Sequence, residues 1–186
     1  HRVELFDQWP SHPTLADTVS VMNRAATEDV RSPVWPVVSR VLRSGGAPSA
    51  LADRTVAVLE DWVARDAPRL DGDLDDNYDD AGPVISDALW PAVAHAIMQP
   101  VYGSLTDDLD DVRSLDGAAG QSYVDKDLRT LLGDRVNGRF NLSYCGNGSL
   151  DACRASLWAV VEQVAGELAA AQGPEPASWT GAASRT

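Results

Sequence analysis

Leu51-Ala52-Asp53-Arg54-Thr55-Val56-Ala57-Val58-Leu59-Glu60-Asp61-Trp62 is the stretch that decides the fold. Leu51, Thr55, Val58, Leu59 and Trp62 recur at i, i+4, i+7, i+8 and i+11, which is one stripe of a 3.6-residue helix. The spacing predicts a core helix. The same period returns along most of the chain and no segment shows convincing strand alternation, so the expected fold class is all-α.

Upstream, Pro13 marks a break and Thr14 is placed to cap a helix carrying Leu15, Val19, Met22 and Ala26 on one face, with Asp17 completing a capping-box pattern. A second helix holds Val34, Val37, Val38, Val41 and Leu42. Pro33 is expected in its first turn, where a missing N–H costs nothing, Pro36 is expected to distort that turn, and Gly45-Gly46 stops it. Downstream, Ile85, Leu89, Val93 and Ile97 keep a four-residue step from Pro83 to Pro100 with little charge, predicting a helix buried on most sides. Residues 104–122 read as a short helix around Leu105 to Val112 and then a loop. Val124, Leu128, Leu131 and Leu132 mark a helix closed by Gly133. A last long helix starts near Ser149 and ends before Gly173-Pro174. Residues 1–173 are read as one helical domain and 174–186 as a Pro/Ala/Ser-rich segment leading out of it, with little regular structure.

The chain has 186 residues, enough for one well-cored domain, and a formal net charge of −13. That charge argues against nucleic acid and anionic membrane as partners, because both are polyanions. No stretch approaches the roughly 18 to 20 apolar residues needed to cross a bilayer. Cys145 and Cys153 are the only cysteines and flank Gly146-Asn147-Gly148, a spacing that favours a disulfide over a metal site. A disulfide would place the protein outside the reducing cytosol, secreted or extracytoplasmic. The alternative is a pair of free thiols, with Cys153 filling an apolar helix face.

Asp71, Asp73, Asp75, Asp76, Asp79 and Asp80 form the densest cluster of potential ligands, and oxygen donors at alternate positions suit calcium. The EF-hand register fails, since counting from Asp71 puts Asp76 at the glycine position and Gly82 at the bidentate glutamate. A solvated acidic loop between two helices is the expectation, with Asp71, Asp73 and Asp75 as weak metal candidates. His1, His12 and His95 are too scattered for zinc, and His95 is expected to be a hydrogen-bonded packing residue rather than a base. The chain contains no Gly-x-Ser-x-Gly elbow, phosphate loop or dinucleotide fingerprint. Trp35, Trp62, Trp90, Trp158 and Tyr144 are expected to be packing anchors rather than a ligand pocket.

Several ordered motifs carry a resemblance. They are Arg2-Val3-Glu4-Leu5, Pro13-Thr14-Leu15-Ala16-Asp17, Leu59-Glu60-Asp61-Trp62 before the aspartate run, Gly82-Pro83-Val84-Ile85 with Trp90 after it, Tyr144-Cys145-Gly146-Asn147-Gly148-Ser149-Leu150, and Trp179. In this order and spacing the chain resembles the middle of the β-subunit of the penicillin acylase family, most like its actinobacterial members. The similarity is thinnest between Ser104 and Val124. The chain opens on His1, and with that likeness it is expected to be a piece of a larger enzyme.

The resemblance implies the helical part of a larger αββα N-terminal nucleophile hydrolase. In such enzymes a self-cleaved precursor frees a serine whose hydroxyl attacks an amide carbonyl while its own α-amine acts as base. That serine, the oxyanion asparagine and the usual calcium ligands fall outside this chain, so no cofactor is expected here, although calcium is possible in the parent enzyme. Arg2 is the one position that matches a family residue supporting the active site. The implied partners are the α-chain and the remaining β-chain segments of the same precursor, and the implied substrate is a small N-acyl amide. The competing expectation is a non-catalytic extracellular helical binding or structural module.

Overall fold

The structure, a computed structural model, describes residues 9–108, 118–136 and 143–183, with residues 118–121 described by backbone alone. Six α-helices can be numbered in it: α1 Leu15–Thr27, α2 Trp35–Arg43, α3 Ala50–Ala64, α4 Ala81–Tyr102, α5 Ala118–Leu131 and α6 Leu150–Gln172. Residues 105–108 are helical too, and the rest of the helix expected around Leu105 to Val112 lies outside the described residues. Among the described residues no β-sheet forms, and the chain is all-α. The only bridges there are the isolated antiparallel pairs Glu28–Pro68 and Asn77–Ala182.

The apolar α4 is the centre of the fold, with α3, α6 and the 3-10 turn Cys145–Gly148 packed around it. Ile85, Leu89, Val93 and Ile97 are all buried, as their four-residue step predicted. The helix is longer at both ends than the Pro83-to-Pro100 expectation. It begins at Ala81 because the Asp80 side chain accepts the Gly82 N–H at 3.0 Å, and it runs past Pro100 to stop at Gly103, whose φ is 55°. In α3 the buried line is Ala52, Thr55, Val56, Leu59 and Trp62, while Leu51 and Val58 pack at its edge.

The tryptophans anchor this core. Trp35, Trp62, Trp90 and Trp179 are fully buried, and Trp35 meets Trp90 edge to face with centroids 5.7 Å apart. Their donors are mostly satisfied: Trp35 donates to Ser86 Oγ at 3.0 Å, Trp62 to the Pro68 carbonyl at 2.9 Å and Trp179 to the Gly173 carbonyl at 2.8 Å. Such rings bury large areas at modest polar cost, which is why they dominate packing here.

Three expectations are corrected. The loop expected up to residue 122 is already helical from Ala118, where α5 begins. Pro36, not Pro33, occupies the first turn of α2, and the helix accepts it without distortion because that N–H has no intrahelical partner anyway. The apolar face of α1 exists, and Thr14 and Asp17 form the expected capping box, yet no α1 residue is buried. Leu15, Val19 and Met22 face solvent. The opposite, more polar side is tied to the body instead, through Arg24–Asp66 at 3.0 Å and backbone hydrogen bonds from Asp29 to Ala67 and from Arg69 to Thr27.

The segment after α6 contains little regular structure, a single 3-10 turn at Pro176–Ser178. It nevertheless returns over the body. Tyr78 N–H donates to the Gly181 carbonyl, Ala183 N–H donates to the Asp76 carbonyl, and Trp179 enters the core.

Candidate functional site

The aspartate loop folds largely on itself. Gly72 N–H donates to both Asp79 oxygens at 3.0 Å, Asp75 N–H to Asp71 at 3.0 Å and Asn77 N–H to Asp75 at 2.8 Å. Turns of this kind arise because a short carboxylate mimics a backbone acceptor. Leu74 and Asp76 adopt positive φ, 61° and 70°, at the loop's bends. Asp71, Asp73 and Asp79 can bring one oxygen each within 4.8 Å of one another, so the grouping uses Asp79 where the sequence pointed to Asp75. Asp73 and Asp79 are exposed and Asp71 half-buried, and each accepts a backbone N–H within the loop.

A denser electrostatic site lies below α1. Asp29 is almost wholly buried and receives Arg69 Nε at 2.6 Å and the Arg31 N–H at 2.7 Å. Arg69 also donates to the Tyr78 hydroxyl at 2.8 Å and pairs with Asp87, which Arg31 reaches at 2.6 Å. Burial works against the Arg69 charge, but Asp87 and Asp29 more than offset it and hold its pKa above the ordinary arginine value. The network joins the α1–α2 turn, the start of the acidic loop and α4. Each charge there has a counter-charge, and the pairing makes the site a fastener rather than a reactive centre.

Cys145 and Cys153 form a disulfide, with Cα atoms 5.0 Å apart, as expected from their spacing. The loop between them turns through Gly146, at φ 57°, where a Cβ would stand 2.4 Å from the Cys153 nitrogen. Asp127 of α5 holds this loop from below, its carboxylate accepting the Tyr144 and Cys145 N–H groups at 2.8 Å each. Burial pushes the Asp127 carboxyl up, and the two donors only partly counter it. Beside it, Tyr144 stacks on Tyr102 with centroids 5.7 Å apart. The hydrogen bond between them, with burial, pushes the Tyr144 phenol up to about 12. Sequence reasoning overlooked Asp127, because nothing in its spacing marks a carboxylate that will cap a loop 17 residues away.

The remaining candidates do not converge. His95 reaches Asp107 at 3.0 Å on a partly open surface rather than in the core. Arg2 and His1 lie outside the described residues, and His12 is exposed. An open groove of about 480 Å³ is lined by Arg54, Asp61, Arg65, Asp79, Asp80 and Ala177. Arg65 there is already paired with Asp61 and Asp80, and Arg54 donates to the Pro174 carbonyl. A smaller apolar trough of about 210 Å³ lies along Trp35, Pro36, Leu59 and Val63. Within the described residues no helix is long and apolar enough to cross a membrane. The chain matches no protein-family model, and comparison with curated proteins returns no match.

Proposed function

We propose that this chain is the helical buttress of a penicillin acylase-like amidohydrolase, cleaving N-acyl amide bonds with an N-terminal serine that another segment supplies. One observation carries the reading: the motifs behind the resemblance meet as packing. Trp62 lies against Gly82, where a Cβ would stand 2.0 Å from the indole, and Gly181, two residues past Trp179, sits against Val84 of Gly82-Pro83-Val84-Ile85. Residues that specify how α3, α4 and the last segment close on one another belong to a scaffold, and in this reading the chemistry resides elsewhere.

The disulfide supports placement outside the reducing cytosol, where such bonds persist. Alone, the chain is expected to be catalytically silent. The test is to isolate the native assembly without denaturant, sequence the N-termini of every polypeptide present, and assay hydrolysis of N-acyl amides. A tightly bound polypeptide that begins with Ser, together with turnover, supports the enzyme. A lone monodisperse chain with no amidase partner overturns it in favour of a non-catalytic helical module.

A further inference from the structure

Tyr78 is held through both its backbone and its side chain. Its N–H donates to the Gly181 carbonyl at 3.0 Å and the Ala183 N–H donates to the Asp76 carbonyl at 2.8 Å, so that Asn77 and Ala182 face each other in an antiparallel bridge. Its phenol accepts Arg69 Nη1 at 2.8 Å, and the guanidinium carbon lies 5.3 Å from the Tyr78 ring centroid. Arg69 in turn grips the buried Asp29, while its backbone N–H donates to the Thr27 carbonyl at the end of α1. One residue thus joins the segment after α6 to the junction that positions α1. That junction matters to α1 because the helix buries no residue of its own, and polar ties at its C-terminal end hold it to the body.

We infer that residues 173–183 are a latch on α1. Docked, the segment keeps Tyr78 against Arg69 and the α1–α2 junction closed; undocked, it releases both together. The segment is built to swing as a unit. It leaves α6 at Gly173, whose φ is 97° and beside which a Cβ would meet nothing within 4 Å, and element ends of this kind absorb the backbone rotation of a hinge. It also carries its own internal bonds, from Trp179 Nε1 to the Gly173 carbonyl and from Ser178 Oγ to the Glu175 carbonyl, each 2.8 Å, which travel with it. Its hold on the body is a set of separate contacts: the Trp179 indole in the core, Arg54 on the Pro174 carbonyl, and the two backbone bonds to the acidic loop. Pro176 and Trp179 are its buried residues and the rest of it is exposed or half-buried, the profile of a segment that opens without global unfolding. The latch is independent of the activity proposed above, because every link in it lies within this chain.

Native-state hydrogen exchange of the full chain in low urea tests the latch. The amides of Tyr78 and Ala183 report on the docked segment, those of Asp29, Arg31 and Arg69 on the junction, and Val161 on the core of α6. In the wild type the first five should open as one unit, with protection factors within about threefold of one another, a shared urea dependence, and values at least roughly tenfold below Val161. The second arm is Tyr78→Leu, which retains the backbone bond to Gly181 and removes the phenol that Arg69 holds. The unit should then split, with the protection of Ala183 and of the three junction amides differing by about fivefold or more. Three results overturn the inference. They are a wild-type segment that opens while the junction stays closed, opening of all five amides only together with Val161, and a unit that stays whole in Tyr78→Leu. The wild-type arm decides alone if that variant does not fold.

Discussion

The Asp127 carboxylate accepts the Cys145 backbone N–H at 2.8 Å, so a helix some 18 positions upstream grips the very residue that the disulfide also holds. Its second oxygen takes the neighbouring Tyr144 N–H. Replacing Asp127 with Ala strands two buried donors at roughly 1 to 3 kcal/mol each, and an overall loss of about 2 to 5 kcal/mol is expected in urea denaturation.

The same residue shapes the dependence on pH. Its folded pKa lies above the ordinary aspartate value, so the folded chain binds this proton more tightly than the unfolded one does. The stability this adds is complete below the unfolded pKa and is lost as pH rises through the raised, folded value. Thermal midpoints measured from pH 3.5 to 7 should therefore show the wild-type advantage over Asp127→Asn largest in acid and shrinking toward neutrality. An advantage that grows toward neutrality would contradict the burial argument.

Breaking the disulfide with Cys145→Ser and Cys153→Ala removes a short closed loop. The chain-entropy relation puts the cost at about 2 to 3 kcal/mol. Because Asp127 still holds the loop, α6 should keep its helical signal, and circular dichroism at 222 nm should change little under native conditions.

Gly82 touches the Trp62 ring so closely that any side chain must displace it. Gly82→Ala is expected to destabilise by about 1 to 3 kcal/mol or more through overpacking. A smaller residue at the other side of the contact relieves the clash, so the loss in the double variant Gly82→Ala, Trp62→Phe should fall short of the sum of the two single losses.

Arg69→Met leaves Asp29 buried without its principal counter-charge. A loss of about 3 to 5 kcal/mol follows from stranding one member of a buried pair. Hydrogen exchange should show the amides of Asp29 and Arg31 opening first, since both depend on that junction.

Trp179→Ala should cost about 3 to 5 kcal/mol, the usual range for emptying a fully buried tryptophan site. A loss near zero would mean that the last segment is not part of the folded body.

The helices were legible because their signals are local. The stripe ending at Trp62, the caps at Thr14 and Ser149, and the stops at Gly133 and Gly173 each depend on residues within a turn or two. Pairing Cys145 with Cys153 was legible for the same reason, since eight residues and a glycine turn leave few other arrangements. Proline placement around α2 erred by one turn, because Pro33 and Pro36 both satisfy the first-turn rule and the local sequence does not select between them.

What the sequence by itself determined is therefore the all-α class, most of the described helices and their buried faces in the central bundle. Only the tertiary structure decided which way α1 points. Its period marks an apolar face but not whether that face meets this chain's core, and the ion pairs that fix its other side join residues up to 42 positions apart, Arg24 to Asp66. Asp127 and Trp179 were hidden for the same physical reason. A buried carboxylate and a closing indole are specified by partners distant in sequence, and periodicity reads only what neighbours along one element share.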